Sequence, residues 1–311
     1  MNYKYPYSDT HCDTLTELFK SSESLNNNEY MVNLSHLKKY KGATQVFAIY
    51  NSGNFLKQDI TDIAAYLKKE CNLYSDFISF ETEADAIIKN SANGRISAIL
   101  SIENLGSQAD LSLQSIEEYK QNGIIIMGLC HNEDNALCGG IKNTNGLTSL
   151  GRKILRQMQK HKIILDVSHM GEKSYWEALE EYSLPFMASH SNSFSVCTHP
   201  RNITDSQFAY LVKRGGLCGI NFVPDFLSGE KSDINSVVSH IEHFMSLGGE
   251  NSLCIGSDFD GTEKTALGLE NAACVYRLFD KLLSINYNES LINKIAFSNF
   301  HNFLKKYETL G

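Results

Sequence analysis

Eight short apolar runs, each followed by a stretch with helical periodicity, constrain the fold of this chain more than any other feature. The runs span residues 5–13, 44–50, 96–103, 124–131, 163–169, 185–190, 217–223 and 253–259. The helical patterns between them include residues 60–77, 147–161 and 234–247. Thr204 and Asp205 begin another helix, which Gly215 ends.

Apolar strands that alternate with helices are typical of a parallel sheet covered by helices. Eight such units predict an α/β fold of the (β/α)8 TIM-barrel type, rather than an open doubly wound sheet. The segment from residue 286 onward predicts one or two extra C-terminal helices packed outside the barrel. We see no linker, low-complexity segment or repeat, so we predict a single domain over residues 1–311.

The charge pattern and the first residues limit the classes of partner. The net charge is −8, and Lys and Arg form no cluster, which argues against binding to nucleic acid or to an anionic membrane. The first ten residues contain no apolar signal segment, and no apolar run reaches the roughly 20 residues that span a bilayer. Eight cysteines are scattered without a Cys-x-x-Cys pair, which favours buried, reduced thiols. The expected location is cytoplasmic.

Polar side chains recur at the carboxyl ends of the predicted strands, where the active sites of barrels are built. They are His11 and Asp13 (strand 1), Glu103 (strand 3), His131 (strand 4), His169 (strand 5), His190 (strand 6) and Asp258 (strand 8). Imidazole and carboxylate groups are typical ligands of a divalent metal such as zinc. The alternative is a set of buried structural groups, each satisfied by its neighbours. Five potential ligands at one rim favour the metal site.

The stretch DTHCD (9–13) is a weak signal by itself, because His-x-Asp also occurs by chance. Side chains two apart on a strand point the same way, so we expect His11 and Asp13 on the rim and Cys12 opposite them. With Glu103, His169 and His190, they predict a dinuclear site in which Glu103 bridges the two ions. Such a bridged pair would hold a shared hydroxide as the nucleophile.

Three further residues are candidates for catalysis or substrate binding. Asp258, in IGSDFDG, could move a proton beside the hydroxide, although it could instead cap the next element. His131 could donate to a developing oxyanion. Arg201, in the loop HPRN, could bind a substrate carboxylate, although a lone loop arginine is more often solvated. The following histidines are expected at or near the surface: His36, His161, His240, His243 and His301.

Taken together, these motifs resemble the membrane (renal) dipeptidase family, the M19 zinc peptidases of the amidohydrolase superfamily. The matching stretches are DTHCDT (9–14), SIEN (101–104), LCHNEDN (129–135), residues 146–170, SHSNSFSVCTHPRNITD (189–205), INF (220–222) and IGSDFDG (255–261). The resemblance implies a (β/α)8 barrel that binds two zinc ions and hydrolyses dipeptides. It implies one zinc ion on His11, Asp13 and Glu103. It implies a second on Glu103, His169 and His190.

The resemblance also implies roles for the remaining candidates. His131 would contact the scissile carbonyl, Arg201 would bind the substrate carboxylate or the oxyanion, and Asp258 would pass a proton to the leaving amine. Two positions depart from the family pattern: Asn104 stands where Gly often follows the bridging Glu, and Val223 stands where Tyr commonly follows INF. Family members are often dimers, so a homodimer is a further expectation. Without a leader or anchor signal, the chain resembles the bacterial, cytoplasmic branch.

We therefore predict a zinc-dependent dipeptidase whose substrates could include L,D-dipeptides. Two alternatives stay open at this point. One is a related amidohydrolase that acts on a lactone, a cyclic amide or an N-acyl amino acid. The other is a barrel that has lost catalysis and serves as a binding protein. The ligand set also suits manganese or cobalt, so residue types alone leave the metal open.

Overall fold

Nine parallel strands occur in residues 3–310, the part of the chain that the computed structural model describes, and eight of them close into a barrel. The strands are β1 (Tyr7–Asp9), β2 (Ala43–Tyr50), β3 (Ile78–Phe80), β4 (Ile96–Glu103), β5 (Ile124–Gly128), β6 (Ile164–Asp166), β7 (Met187–Ala188), β8 (Leu217–Ile220) and β9 (Leu253–Ile255). β2 pairs with both β1 and β4, and β9 pairs with β1, which closes the ring. The predicted (β/α)8 barrel is confirmed.

β3 was not predicted from the sequence, and it takes no part in closing the barrel. It pairs with the first half of β4, with Ile78 opposite Ile96. β5 pairs with the second half of β4, from Leu100 onward. β3 and β5 therefore pair with successive halves of β4, β3 with its first residues and β5 with its last.

Twelve α-helices lie within residues 3–310. They are α1 (Thr14–Ser21), α2 (Leu34–Leu37), α3 (Lys57–Leu73), α4 (Ala84–Ala92), α5 (Leu113–Gln121), α6 (Ser149–Lys160), α7 (Glu172–Glu181), α8 (Asp205–Lys213), α9 (Ile234–Ser246), α10 (Tyr276–Ser284), α11 (Glu289–Asn293) and α12 (Asn299–Thr309). The predicted start of α8 is confirmed, because the Thr204 side chain accepts from the Gln207 amide. Among these described helices, none combines the length and apolar character needed to cross a bilayer.

The final helix packs differently from the prediction. One inward-facing side chain from each of seven strands joins a single buried cluster: Val46, Ile99, Ile126, Ile164, Met187, Leu217 and Cys254. Phe300, Phe303 and Leu304 of α12 belong to the same cluster, because their three- and four-residue spacing places them on one helix face. α12 therefore packs against the interior of the barrel as well as against the outer helix α4.

Most of the rim residues lie beyond the strands rather than on them. Glu103 is the last residue of β4, whereas β1 ends at Asp9 and Asp13 is the N-cap residue of α1. Beyond β1, however, Cys12 still forms a parallel bridge with Phe259, and the Asp13 amide donates to the Phe259 carbonyl. The extended pairing that was expected to place His11 and Asp13 on one side therefore continues past Asp9. Cys12 does point away from the rim, with its thiol 3.5 Å from the carbonyl oxygen of Val46 in β2.

Two histidines expected near the surface are buried. His240 and His301 are 0% and 1% exposed. The ring nitrogens of His301 lie 3.0 Å from Thr44 Oγ1 and 2.7 Å from the Phe297 carbonyl oxygen. Internal partners for both nitrogens allow a neutral imidazole to stay in the core. All eight cysteines, as expected, are free thiols, and six of them are buried.

Candidate metal centre

Histidine and carboxylate side chains from distant parts of the chain converge beyond the carboxyl ends of the strands. His11 Nε2 lies 3.7 Å from Asp13 Oδ2 and 3.8 Å from Asp258 Oδ1. His169 Nε2 lies 2.9 Å from His190 Nε2. All five side chains are buried. The structure thus places four of the predicted ligands and Asp258 in one buried site.

Glu103 stands between the two groups of histidines. Its Oε2 lies 3.4 Å from His11 Nε2. Its Oε1 lies 2.7 Å from His169 Nε2 and 3.8 Å from His190 Nε2. Each oxygen therefore faces a different group of ligands, which is the arrangement that a carboxylate bridging two cations requires.

The hydrogen bonding of these residues fits a divalent metal. Among residues 3–310, His11 Nε2 and Asp13 Oδ1 are buried polar atoms without a hydrogen-bond partner, which is uncommon in folded proteins. His169 Nδ1 lies 3.0 Å from Asn132 Oδ1, so Nδ1 carries the proton and Nε2 presents its lone pair to Glu103 and His190. One cation beside His11 and Asp13 and another beside His169 would satisfy these atoms. Within residues 3–310, His11, Asp13 and Glu103 form one such cluster, and Glu103, His131 and His169 form another.

The charges in the site also favour a bound cation. The pKa of Asp13 is raised to about 7, chiefly by burial and also by the nearby carboxylates of Glu103 and Asp258, while His11 acts to lower it. Burial likewise raises the pKa of Asp258. Burial alone would raise the pKa of Glu103, but its interactions and hydrogen bonds with His169 and His11 outweigh burial and hold that pKa well below its usual range. Three carboxylates that converge in a buried site are stabilised by a positive ion.

Two of the imidazoles beside them, those of His169 and His190, are held neutral. Burial lowers the pKa of His169 to about 3, and the charge of Arg201 adds to the effect. Burial and the nearby His11 hold the pKa of His190 well below its usual range. Neutral imidazole is the form that binds metals.

The backbone around Asp258 is shaped by the crowding of the site. Asp258 has a φ of +65°, a left-handed conformation that non-glycine residues seldom adopt and that tends to occur at functional sites. Its Oδ2 accepts a hydrogen bond from Asn221 Nδ2 at 2.9 Å, which leaves Oδ1 facing His11. A Cβ at Gly261 would fall 2.3 Å from Asp13 Oδ2 and 2.6 Å from Asp258 Oδ1. Only glycine fits at position 261 beside these two carboxylates.

Asn104 accounts for one departure from the family pattern. Its φ is +65°, which glycine adopts freely and which asparagine tolerates better than most residues. Its side-chain oxygen accepts from the His131 amide at 3.2 Å, and its Nδ2 donates to the Asn51 carbonyl at 2.8 Å. Asn104 therefore connects Glu103 directly to the loop that carries His131.

His131 lies beside the ligands, as expected for a residue that contacts substrate. Its ring centroid is 4.3 Å from that of His169 and 5.2 Å from that of Tyr50. Burial lowers its pKa, so the ring is neutral and has one N–H to donate. A cavity of about 400 Å³ is bounded by His131, by four other predicted site residues and by Tyr50. A second cavity of about 580 Å³ adjoins it, and Val223 and Thr262 line both.

Arg201 is placed differently from the other candidates. It is 2% exposed and does not line the cavity beside the ligands. Its Nη1 donates to the Ser168 carbonyl and to Ser191 Oγ, and its Nη2 donates to the His190 carbonyl at 2.9 Å. The guanidinium therefore ties together the loops that carry His169 and His190. Its predicted contact with a substrate carboxylate stays a prediction.

Several supporting residues were missed in the sequence. Asn104, Asn132 and Gly261 each lie next to or close after a predicted site residue, and Asn221 lies in the quoted stretch INF. A local signal therefore existed, because polar side chains next to ligands are common hydrogen-bond partners of those ligands. The contact partner of each was not readable, since it comes from another loop.

The barrel and the cluster of His, Glu and Asp at its carboxyl rim define a metal-binding (β/α)8 barrel. The family model described as "Membrane dipeptidase (Peptidase family M19)" matches residues 1–311, so the chain belongs to that family. The family resemblance drawn from the motifs is confirmed.

Curated relatives are similar over part of their length. A protein of Klebsiella pneumoniae, uncharacterized and encoded in the pqqA 5′ region, is 34% identical over 51% of this chain and 60% of its own length. An uncharacterized dipeptidase of Schizosaccharomyces pombe is 30% identical over 68% of this chain and 53% of its own. The dipeptidase tcpJ of Claviceps purpurea is 27% identical over 79% of this chain and 59% of its own. The chain thus spans between about half and three fifths of these relatives.

Solved structures share the fold. A metallopeptidase from Rhodobacter sphaeroides, liganded with a phosphinate mimic of the dipeptide L-Ala-D-Ala, superposes with a TM-score of 0.88 at 22% identity, over 97% of this chain and 99% of that one. The dipeptidase AC of the M19 family superposes with a TM-score of 0.87 at 23% identity, over 97% and 98% of the two chains.

Proposed function

We propose that this chain is a dipeptidase that uses two divalent metal ions, normally zinc, bridged by Glu103. The observation that carries the proposal is the division of the two Glu103 oxygens between His11 on one side and His169 with His190 on the other. His11, Asp13 and Glu103 would hold one ion, and Glu103, His169 and His190 would hold the other. Two such ions would polarise the scissile carbonyl and lower the pKa of a water molecule between them.

The residues around the ions have separate tasks. His131 donates a ring N–H to the oxygen of the scissile carbonyl as negative charge develops there. Asp258 accepts at Oδ1 a proton from the attacking water molecule and passes it to the leaving amine as the C–N bond breaks, while Asn221 keeps the other carboxylate oxygen in place. The raised pKa of Asp258, caused by burial, makes that carboxylate a better proton acceptor.

A dipeptide substrate is supported by the family and by one structural neighbour. The Rhodobacter sphaeroides protein binds a mimic of L-Ala-D-Ala, and a cavity of about 400 Å³ is large enough for a small peptide. We therefore propose small dipeptides as the substrate class, with a residue of either configuration at the second position.

The experiment combines metal content with a panel of dipeptides. We expect close to two zinc ions per chain, hydrolysis of L,L- or L,D-dipeptides, loss of hydrolysis on chelation and recovery when zinc is restored. Glu103→Gln keeps the side-chain shape but removes the bridging charge, and should abolish turnover and lower the metal content. Glu118→Gln is the matched control, because Glu118, in helix α5 away from the site, forms an ion pair with Lys57.

Each other outcome would contradict a definite part of the proposal. Two bound ions without hydrolysis of any dipeptide would refute the substrate class and favour another amide or a lactone. Less than one ion per chain, with no activity after zinc is added, would refute the metalloenzyme itself. Normal turnover by Glu103→Gln would refute the bridge.

A further inference from the structure

His190 is backed by a chain of hydrogen bonds that ends at a buried carboxylate. His190 Nδ1 lies 2.6 Å from Ser189 Oγ, and Ser189 Oγ lies 2.5 Å from Asp166 Oδ2. Asp166 and Ser189 are 7% and 1% exposed, and neither lines the cavity beside the ligands. Ser189 therefore contacts a proposed metal ligand directly, Asp166 reaches it through Ser189, and neither residue has access to a substrate.

The direction of these bonds follows from the chemistry of the three groups. The Ser189 hydroxyl has one proton, and the Asp166 carboxylate can only accept, so the hydroxyl donates to Asp166. The hydroxyl oxygen then accepts from His190, which must carry its proton on Nδ1. His190 Nε2 is left with its lone pair, and it is this nitrogen that faces Glu103 and His169.

Asp166 is itself held rigidly. Its Oδ1 accepts from the Ser168 amide at 3.0 Å, from Ser168 Oγ at 2.8 Å and from the Ser189 amide at 2.9 Å. All of these donors belong to the two loops that follow β6 and β7, which carry His169 and His190. The carboxylate is therefore positioned by the same segments that present the two imidazoles.

The hydrogen-bond partner behind His169 is neutral, unlike the carboxylate that lies behind His190. Its Nδ1 lies 3.0 Å from the neutral amide oxygen of Asn132. A carboxylate behind a metal-binding imidazole raises its basicity more than an amide does. The two imidazoles that face each other across the site are therefore not equivalent.

We propose that Asp166 and Ser189 are positioning residues, which fix His190 in the Nδ1–H tautomer and, through the charge of Asp166, make its Nε2 the stronger imidazole ligand of the second ion. The inference rests on the proposed metal site. The role is distinct from simple support of the loops, because it acts through one hydroxyl group.

The test measures zinc affinity by competition with a chelator. Ser189→Ala and Asp166→Asn should each lower the affinity for one of the two zinc ions by about 10–100-fold and leave the affinity for the other nearly unchanged. Ser189→Thr, which keeps the hydroxyl, should restore most of the lost affinity. Ser168→Ala is the control for loop support, since the Ser168 hydroxyl donates to the same carboxylate, accepts from the His190 backbone amide and lies 3.2 Å from Ser189 Oγ, but does not contact an imidazole nitrogen.

A second measurement reads the tautomer directly in the metal-free protein. Nitrogen-15 NMR of labelled histidine should show His190 protonated at Nδ1 in the wild type, and a shift toward the Nε2–H form in Ser189→Ala. An Nε2–H form in the wild type would overturn the inference. So would equal losses of zinc affinity in Ser168→Ala and Ser189→Ala, because loop support alone predicts that result. If the wild type binds no zinc, the proposed function fails; if wild type and Ser189→Ala bind it equally, only the inference fails.

Discussion

Replacement of Asn104 by glycine tests whether the side chain or only the backbone conformation matters beside Glu103. Asn104→Gly keeps the φ of +65° available at no steric cost. It removes a side chain that is 8% exposed and accepts from the His131 amide. We expect the variant to be less stable and to turn over more slowly, while the affinity for metal stays close to that of the wild type.

The magnitude follows from the bonds that are lost. Nδ2 donates to the Asn51 carbonyl at 2.8 Å, and Oδ1 accepts from Ser107 Oγ at 3.0 Å, from Asn135 Nδ2 at 3.0 Å and from the His131 amide at 3.2 Å. Four bonds at about 1 kcal/mol each amount to about 4 kcal/mol. Release of the left-handed backbone returns about 1 kcal/mol. The free energy of unfolding should therefore fall by about 3 kcal/mol.

The assay is equilibrium unfolding in urea, followed by circular dichroism, together with steady-state hydrolysis of a dipeptide. We expect kcat to fall by about 10–100-fold, because His131 loses an anchor of its loop. Asn54→Gly is the matched control: Asn54 has a φ of +69° and is exposed, and its side chain makes none of the described hydrogen bonds among residues 3–310. Its stability should stay within about 1 kcal/mol of the wild type. If Asn104→Gly were as stable and active as the wild type, the role assigned to this side chain would be wrong.

Three further predictions concern pH, Arg201 and Val223. Burial lowers the pKa of His301 to about 4, whereas a histidine in the unfolded chain titrates near 6.5, so only the unfolded state binds a proton between these values and stability falls as the pH drops through them. His301→Gln can keep both hydrogen bonds. In urea titrations of the metal-free protein, the free energy of unfolding lost between pH 7 and 5 should be about 2 kcal/mol smaller in this variant than in the wild type; an equal loss would contradict this account. Because both Nη atoms of Arg201 hold backbone carbonyls, Arg201→Ala should weaken zinc binding and lower turnover equally for a dipeptide and for its C-terminal amide. A selective loss with the free acid would instead identify Arg201 as the carboxylate clamp. Val223→Tyr should raise KM for dipeptides with bulky side chains and spare Ala-Ala, since Val223 lines both adjoining cavities; equal effects on both would exclude that role.

Much of the fold was predictable because its signals are local. The run at residues 96–103 matches β4 at both ends, and the cap at Thr204 marks the start of α8. Periodicity and capping depend on neighbours within a few residues, so they survive without tertiary information. β3 was missed because a three-residue strand is too short to show a period, and α12 was placed only outside the barrel because its contact with the barrel interior involves residues far away in sequence.

The site was predictable in composition but not in geometry. His11, Asp13, Glu103, His169 and His190 are recognisable because metals require particular residue types, and because such residues follow strands that must end at one rim. Strand alternation also placed His11 and Asp13 on one side correctly, because Cys12 still pairs with Phe259 beyond the end of β1; the positions of the other groups relative to this pair were not readable. Loop conformation beyond the strand ends has no simple period from which it could be read.

The sequence by itself determined the barrel, the family and the candidate metal ligands, since each depends on periodicity or on residue type. Only the tertiary structure decided how these groups act together. It divides the oxygens of Glu103 between two groups of ligands, turns Arg201 toward backbone carbonyls, and places Asp166 behind His190 through Ser189. The physical reason is that hydrogen bonds form between atoms less than about 3.2 Å apart, and the loops that bring these atoms together are positioned by the whole barrel.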